Sequence, residues 1–395
     1  MSVDVTPLPP DHPLCDGRTT QAPLIRALRG DRPERLPVWF MRQAGRSLPE
    51  YRKARAGIAM LDACLRPELA SELTVQPVRR HGVDAAIFFS DIVVPLKLAG
   101  VGVDIKPGVG PVLDQPYRTA DDIARLTEHE LTDEALTPIR DGVAHTIALL
   151  DEHAATMEAP TTPLIGFGGA PFTLAAYLVE GKPSRDHLAA RALMHTDPDS
   201  WRRLMAWTAD LTGRFLHAQV VAGASAVQLF DSWAGSLSKV DYDTHVAWAS
   251  TDALSHVADL RIEPVVPSSP GGVDLGVPAI HFGVGAGHLL TSLRDVVRSA
   301  GLTSVAVGVD YRTPLDEAID TLGPNVVVQG NIDPARLAAP WPVLEAHVRD
   351  VIERGRHAVN GQAPGHVVNL GHGVPPETDP EVLTRIVELI HQSPE

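Results

Sequence analysis

The chain reads as a single (β/α)8 barrel, a TIM barrel in which eight parallel strands are each trailed by a helix. Three observations carry that expectation. About eight short apolar runs alternate with helical stretches along the 395 residues, and such alternation requires parallel strands with helical crossovers. The unusual polar residues fall just after these runs, where a barrel gathers its functional loops. No Gly-x-Gly-x-x-Gly turn follows the first run, which counts against an open doubly wound sheet. Gly283-Val-Gly-Ala-Gly287 lacks that spacing and marks a tight turn.

The elements follow in order. Residues 1–20 carry several prolines and read as a loose, flexible leader, with one barrel domain over 21–395. A helix is expected from Ala22 to Gly30 and the first strand at Val38–Met41. Pro67–Arg80 places Leu69, Leu73 and Val78 on one helical face. Ala85–Phe89 is the second strand. Between Pro95 and Gln115, small and apolar residues alternate around Gly100, Gly102, Gly108 and Gly110, predicting a hairpin excursion after strand two. A helix over Thr132–Glu152 leads to strand three, Leu164–Phe167. Pro171 suits the first turn of the helix that reaches Glu180. Asp197-Pro198 caps a long helix whose stripe is Trp201, Leu204, Met205, Leu211, Phe215 and Leu216. Strand four is Ala226–Phe230, followed by a helix over Asp241–Ala258 and an extended loop over Pro264–Gly276. Strands five to eight are Ala279–Phe282, Ser304–Val307, Val326–Val328 and Val367–Leu370. Helix starts at Thr313-Pro314, Asp333-Pro334 and Asp379-Pro380 repeat one cap design.

Composition narrows the function. A hydrophobic content of 44% supports a full core, and 21% charged residues exclude wholesale disorder. The net charge of -15 argues against nucleic-acid or anionic-membrane surfaces, so an acidic ligand must meet a locally positive cleft. Cys15 and Cys64 can build neither a disulfide framework nor a thiolate metal cage, and they fit a reducing, cytoplasmic setting. No apolar run reaches the roughly 18 residues a span needs. The five lysines show no Schiff-base context, and neither His-Glu-x-x-His nor Cys-x-x-Cys occurs, so no metal or cofactor is expected.

The residues after the strands are Arg42 and Arg46, Asp91, Gly168-Gly169, Ser232, Asp310, Asn331 and His372. Arg42 and Arg46 sit four apart on one loop, with Gln43, Ala44 and Gly45 between them, and form a fork for carboxylates. Taken singly, each residue also has an ordinary structural reading. The arginines could pair with surface acids, and Asp91 and Ser232 could cap helices. Tyr177 could be a core residue, and His372 a turn residue between glycines.

The segments PVWFMRQAGRSLPEYR, FFSDI, GFGGAPFTLAAYLVEG, QLFDSWAG and NLGHGV together resemble the signatures of the uroporphyrinogen decarboxylase family. The resemblance runs from about Arg35 to the last helix. It departs at Ser47, where many relatives carry an aromatic residue, and in a longer loop over Arg261–Gly276. It implies removal of the four acetate carboxyls of uroporphyrinogen III, in haem biosynthesis, with no cofactor. It implies Asp91 and Arg42 as catalytic, with Gln43, Ala44, Gly45, Arg46, Tyr177, Ser232 and His372 also binding substrate. It further implies a homodimer, and gives Asp310 and Asn331 a place in the framework with no catalytic role. A corrinoid- or thiol-dependent methyltransferase on the same barrel, a non-catalytic tetrapyrrole carrier, and a generic phosphate-binding barrel enzyme favoured only by Gly283-Val-Gly-Ala-Gly287 are the rival readings.

Overall fold

A computed structural model describes residues 6–262 and 276–393. Seven strands form one parallel sheet that curls around a buried core. In spatial order they are Ala86–Ile87, Leu164–Gly169, Ala226–Asp231, Ala279–Gly283, Val305–Gly308, Val327–Gln329 and His366–Val367. The four central strands are backbone ladders with continuous register, pairing Ile165 with Ala226, Val227 with Ala279 and Ala279 with Val305. Strands buried on both faces need apolar side chains throughout, as Leu164-Ile165 and Ala226-Val227 supply.

The eighth stave is the expected first strand, and it is not a regular strand. Of Val38–Met41, only Val38 makes a bridge, to Val368. Side chains and isolated backbone bonds do the rest. The Asp84 carboxylate accepts the Val38 amide at 2.9 Å, and the Asp84 amide returns a bond to the Val38 carbonyl at 2.8 Å. Gln43 folds back to accept the Phe40 amide and to donate to the Ala85 carbonyl, both at 3.0 Å. Asn369 accepts the Met41 amide at 3.0 Å. Inside the barrel, the Trp39 indole donates to Gln329, which donates to Gln228, at 3.0 and 2.9 Å. The barrel therefore closes, with side chains replacing ladder bonds on the first stave. The second and eighth strands shorten correspondingly, to Ala86–Ile87 and His366–Val367.

The excursion is present as an antiparallel pair, Val103–Lys106 with Gly110–Leu113, turned at Gly108 with φ +74°. It is smaller than expected, because Val94–Leu98 is helical. The helix Pro67–His81 ends at Gly82 in the left-handed region, and the long helix Pro198–Val221 starts under an Asp197 cap. The stretch Asp241–Ala258 is two helices, Lys239–His245 and Ala247–Ala258, broken at Val246. Asp333 and Asp379 cap as expected. Thr313 does not: the helix begins at Leu315, and the Thr313 carbonyl is taken by the Asn331 amide group. The expected loop over Pro264–Gly276 falls outside the described residues, apart from Gly276.

The leader corrects an expectation. Residues 6–20 are docked against the N-terminal ends of the strands. Thr6–Pro7 pairs with Leu260–Arg261, Leu8 and Leu14 are buried, and the buried His12 bonds the Val220 carbonyl at 2.9 Å. Among the described residues, no helix is long and apolar enough to cross a membrane.

Candidate active site

At the C-terminal ends of the strands, a candidate cleft holds Arg42 within charge reach of Asp91, Tyr177 and His372. Arg42 opens the first loop with φ +63°, a left-handed conformation that costs a non-glycine residue about 1 kcal/mol. That turn sends its exposed side chain across the Gly-His-Gly loop. A Cβ on Gly373 would lie 2.5 Å from Arg42 Cδ, so this glycine is what lets the guanidinium pass beside His372. Gly371 serves the same loop, because a Cβ there would overlap the Tyr311 backbone.

Asp91 is half-buried just beyond the second strand. Its Oδ1 accepts the Val93 amide at 3.1 Å, fixing the side chain to its own turn. Burial pushes the carboxyl above the usual range, while the Val93 amide and the Arg42 guanidinium pull it back. Tyr177 is buried on the helix Pro171–Glu180, its ring 3.9 Å from that of Trp233. Burial and the Asp91 charge raise its hydroxyl, and Arg42 opposes them. Burial lowers His372, reinforced by Arg42 and Arg312 and opposed by Asp310. Its Nδ1 accepts the Gly373 amide at 2.6 Å, which leaves the neutral ring with its proton on Nε2 as a donor. Arg42 thus acts on Asp91, Tyr177 and His372 at once.

Ser232 is half-buried between Asp231 and Trp233. The neighbouring backbone is held from behind, since Thr173 donates to Asp231 at 3.1 Å and accepts the Trp233 amide at 3.3 Å. Arg46 is exposed and within charge reach of Tyr51, whose ring packs edge-on to Phe89 at 5.8 Å. Gln43 is the exception among the proposed ligand residues. Its side chain is fully buried and committed to the first stave, so it cannot face a ligand. Ala44 and Gly45 offer backbone instead. Among the described residues, no carbonyl takes the amides of Ala44, Gly45 or Arg46.

Two arginines without a role in the sequence reading also belong here. Arg55 lies 5.5 Å over the Tyr51 ring, and its charge together with that of Asp91 reaches the buried Cys64 thiol. Arg312 is paired with the buried Asp310 at 2.5 Å and stacks on Tyr311. Their spacing from the strand ends gave no signal. Arg55 sits four residues after Tyr51 on the following helical turn, and only folding shows where that turn points.

A family model for uroporphyrinogen decarboxylase (URO-D) matches residues 19–393. A uroporphyrinogen decarboxylase of Arthrobacter sp. (strain FB24) is 64% identical over 96% of this chain and 100% of its own. The enzyme of that description from Leifsonia xyli subsp. xyli is 59% identical over 98% of each chain. Among solved structures, a methyltransferase from Methanosarcina mazei superposes with a TM-score of 0.70 over 94% of this chain and 98% of its own, at 16% identity, which speaks for the fold alone. By the extent of the matched model and the identity of these relatives, the chain belongs to the uroporphyrinogen decarboxylase family.

Proposed function

We propose that this cleft decarboxylates the four acetate side chains of uroporphyrinogen III, giving coproporphyrinogen III and carbon dioxide, with Asp91 as the central catalytic group. Loss of carbon dioxide leaves an electron pair that needs a sink. Protonating the ring carbon beside the side chain turns the electron-rich pyrrole into that sink. The carbon–carbon bond then breaks toward the cationic ring, a proton from solvent adds to the methylene carbon to complete the methyl group, and the ring carbon gives up the proton it took, which restores the pyrrole.

The protein's task is to steady the cation and hold the acidic arms. Asp91, anchored through Oδ1, keeps Oδ2 to accept pyrrole N–H groups and to oppose the ring's positive charge in a half-buried site. Arg42 and Arg46, with the amides of Ala44 and Gly45, grip carboxylates, and Arg42 assists proton delivery. Tyr177, Ser232 and the Nε2–H of His372 orient the remaining side chains. The observation that carries this reading is the half-buried Asp91 carboxyl flanked by Arg42 in a cleft shared with Tyr177 and His372. We place the chain in the cytoplasm as a homodimer, which light scattering at about twice the chain mass would support.

Asp91→Asn tests the assignment. It preserves size and removes charge, and turnover of the octacarboxylate porphyrinogen should fall by about 10²-fold or more. Activity within tenfold of the parent would remove the aspartate from the mechanism. A carrier that merely binds the macrocycle would release no carbon dioxide in either form.

A further inference from the structure

We propose that His195, Asp241 and His245 form a binding site for a divalent transition cation of the zinc class, outside the cleft and separate from the decarboxylation chemistry. Each residue offers one ligand atom, and these atoms all lie within 4.8 Å of one another. His195 Nε2 and Asp241 Oδ1 are 3.6 Å apart. That is too long for a hydrogen bond. It is close to the roughly 3.3 Å edge of a tetrahedron built on metal–ligand bonds of about 2.0–2.2 Å. The two imidazoles stand 5.4 Å apart at 87°, so their lone pairs can converge on one point without the rings colliding.

The sequence explains why the three meet. Asp241 and His245 are four residues apart on the helix Lys239–His245 and share a face. His195 comes from the last turn of the helix Leu188–Thr196. The backbone under both ligands of the second helix is fixed. The His245 carbonyl accepts the buried Trp201 indole at 3.2 Å, and the Asp241 amide is capped by Ser238 at 3.0 Å. Among the described residues, no other hydrogen bond claims the Asp241 carboxylate or the rings of His195 and His245. Two imidazoles and one carboxylate select zinc, nickel or copper ions over magnesium and calcium, which favour all-oxygen shells.

The site also spans two elements that support one wall of the cleft. The helix bearing His195 begins after His187, whose ring meets Trp233 edge-on at 4.3 Å, and Trp233 in turn packs on Tyr177. The helix bearing Asp241 and His245 follows the Ser232 loop. A bound cation would staple the two together.

The test is calorimetric titration of chelator-stripped full-length protein with Zn2+ and, separately, Mg2+. The expected result is one Zn2+ per chain at micromolar concentration and no comparable Mg2+ binding. His195→Ala and His245→Ala should each weaken Zn2+ by at least tenfold while leaving metal-free turnover unchanged. Zn2+ should raise the parent's Tm and leave that of the double variant unmoved. Co2+ added to the unmutated protein supplies a readout independent of any variant, since intense visible bands report a low-coordinate nitrogen- and oxygen-ligated site. Zn2+ binding unaltered by both substitutions, absence of binding below millimolar Zn2+, or a Co2+ spectrum matching the hydrated ion would each overturn the proposal and leave a solvated His–Asp pair.

Discussion

The first stave and the four central strands do the same structural job by different chemistry. From Leu164–Gly169 to Val305–Gly308, neighbours are joined by backbone bonds in unbroken register. From Pro37 to Arg46, one bridge remains, and Asp84, Gln43 and Asn369 side chains take the backbone amides. A ladder tolerates any apolar side chain that fits. A stave made of side-chain bonds depends on particular residues, and it frees the backbone to turn sharply at Arg42. The difference teaches that this barrel gives up regular pairing where the arginine loop must enter the cleft, and concentrates its polar specificity there.

The largest break in that contrast should come from Asp84→Ala. The carboxylate is 1% exposed and serves the Val38 amide, Arg35 and His391 together. Its removal leaves a buried amide orphaned and deprives Arg35 and His391 of their shared partner, a loss of about 3 kcal/mol measurable as a shift in urea midpoint. A loss below 1 kcal/mol would mean that the Val38–Val368 bridge alone closes the barrel.

Next comes pH. His366, on the strand beside the stave, is pushed down to about 4 by burial. Its Nε2 donates to the Gly330 carbonyl at 2.7 Å, and its buried Nδ1 has no partner, so an added proton would have nowhere to bond. His81, bonded to Thr384 on the last helix, is also lowered to about 4. A folded pKa below the unfolded one means that the unfolded chain binds the extra proton. Stability is therefore full above about pH 6.5 and is lost as pH falls toward 4, by about 3 kcal/mol for a fully buried histidine such as His366. Melting curves from pH 7.5 to 4.5 should slope accordingly, and His366→Gln should flatten part of the slope.

Much of this was legible in the sequence, and the gaps have a common cause. Apolar runs such as Ala226-Val-Gln-Leu-Phe230 announce ladders because ladder bonds need no side chain. Gly82, Asp197 and Asp379 mark helix ends because capping is local. The stave was misread as a strand because its partners, Asp84, Gln329 and Asn369, lie tens to hundreds of residues away. Thr313 was misread as a cap because Asn331, distant in sequence, competes for its carbonyl. The docked leader went unseen because Leu8 and Leu14 are isolated among prolines. Motif resemblance singled out Asp91, Tyr177 and His372, which the fold sets within charge reach of Arg42. It could not show that the Gln43 side chain turns inward, or that Arg55 and Arg312 come close.

A smaller effect probes the ladder side. Val227→Ala removes two buried methyl groups from the central strand, near its N-terminal end and away from the cleft. It should cost about 2 kcal/mol and leave kcat/KM unchanged. A drop in kcat/KM at full occupancy of the folded state would show that central register, and not only the stave, sets cleft geometry.

The smallest expected change in stability concerns Arg42, where the two designs meet. Glycine adopts φ +63° without the side-chain clash that an arginine incurs, so Arg42→Gly should relieve strain and raise stability by up to about 1 kcal/mol. Arg42→Gln keeps the clash and removes the charge, and it should gain nothing. Both should lose activity, because both remove the guanidinium that acts on Asp91, Tyr177 and His372. If the glycine variant is the more stable of the two and equally inactive, the strain at this position is kept for the position of one guanidinium. If the two variants melt together, the stave holds that backbone conformation without cost, and the left-handed turn follows from closure of the barrel alone.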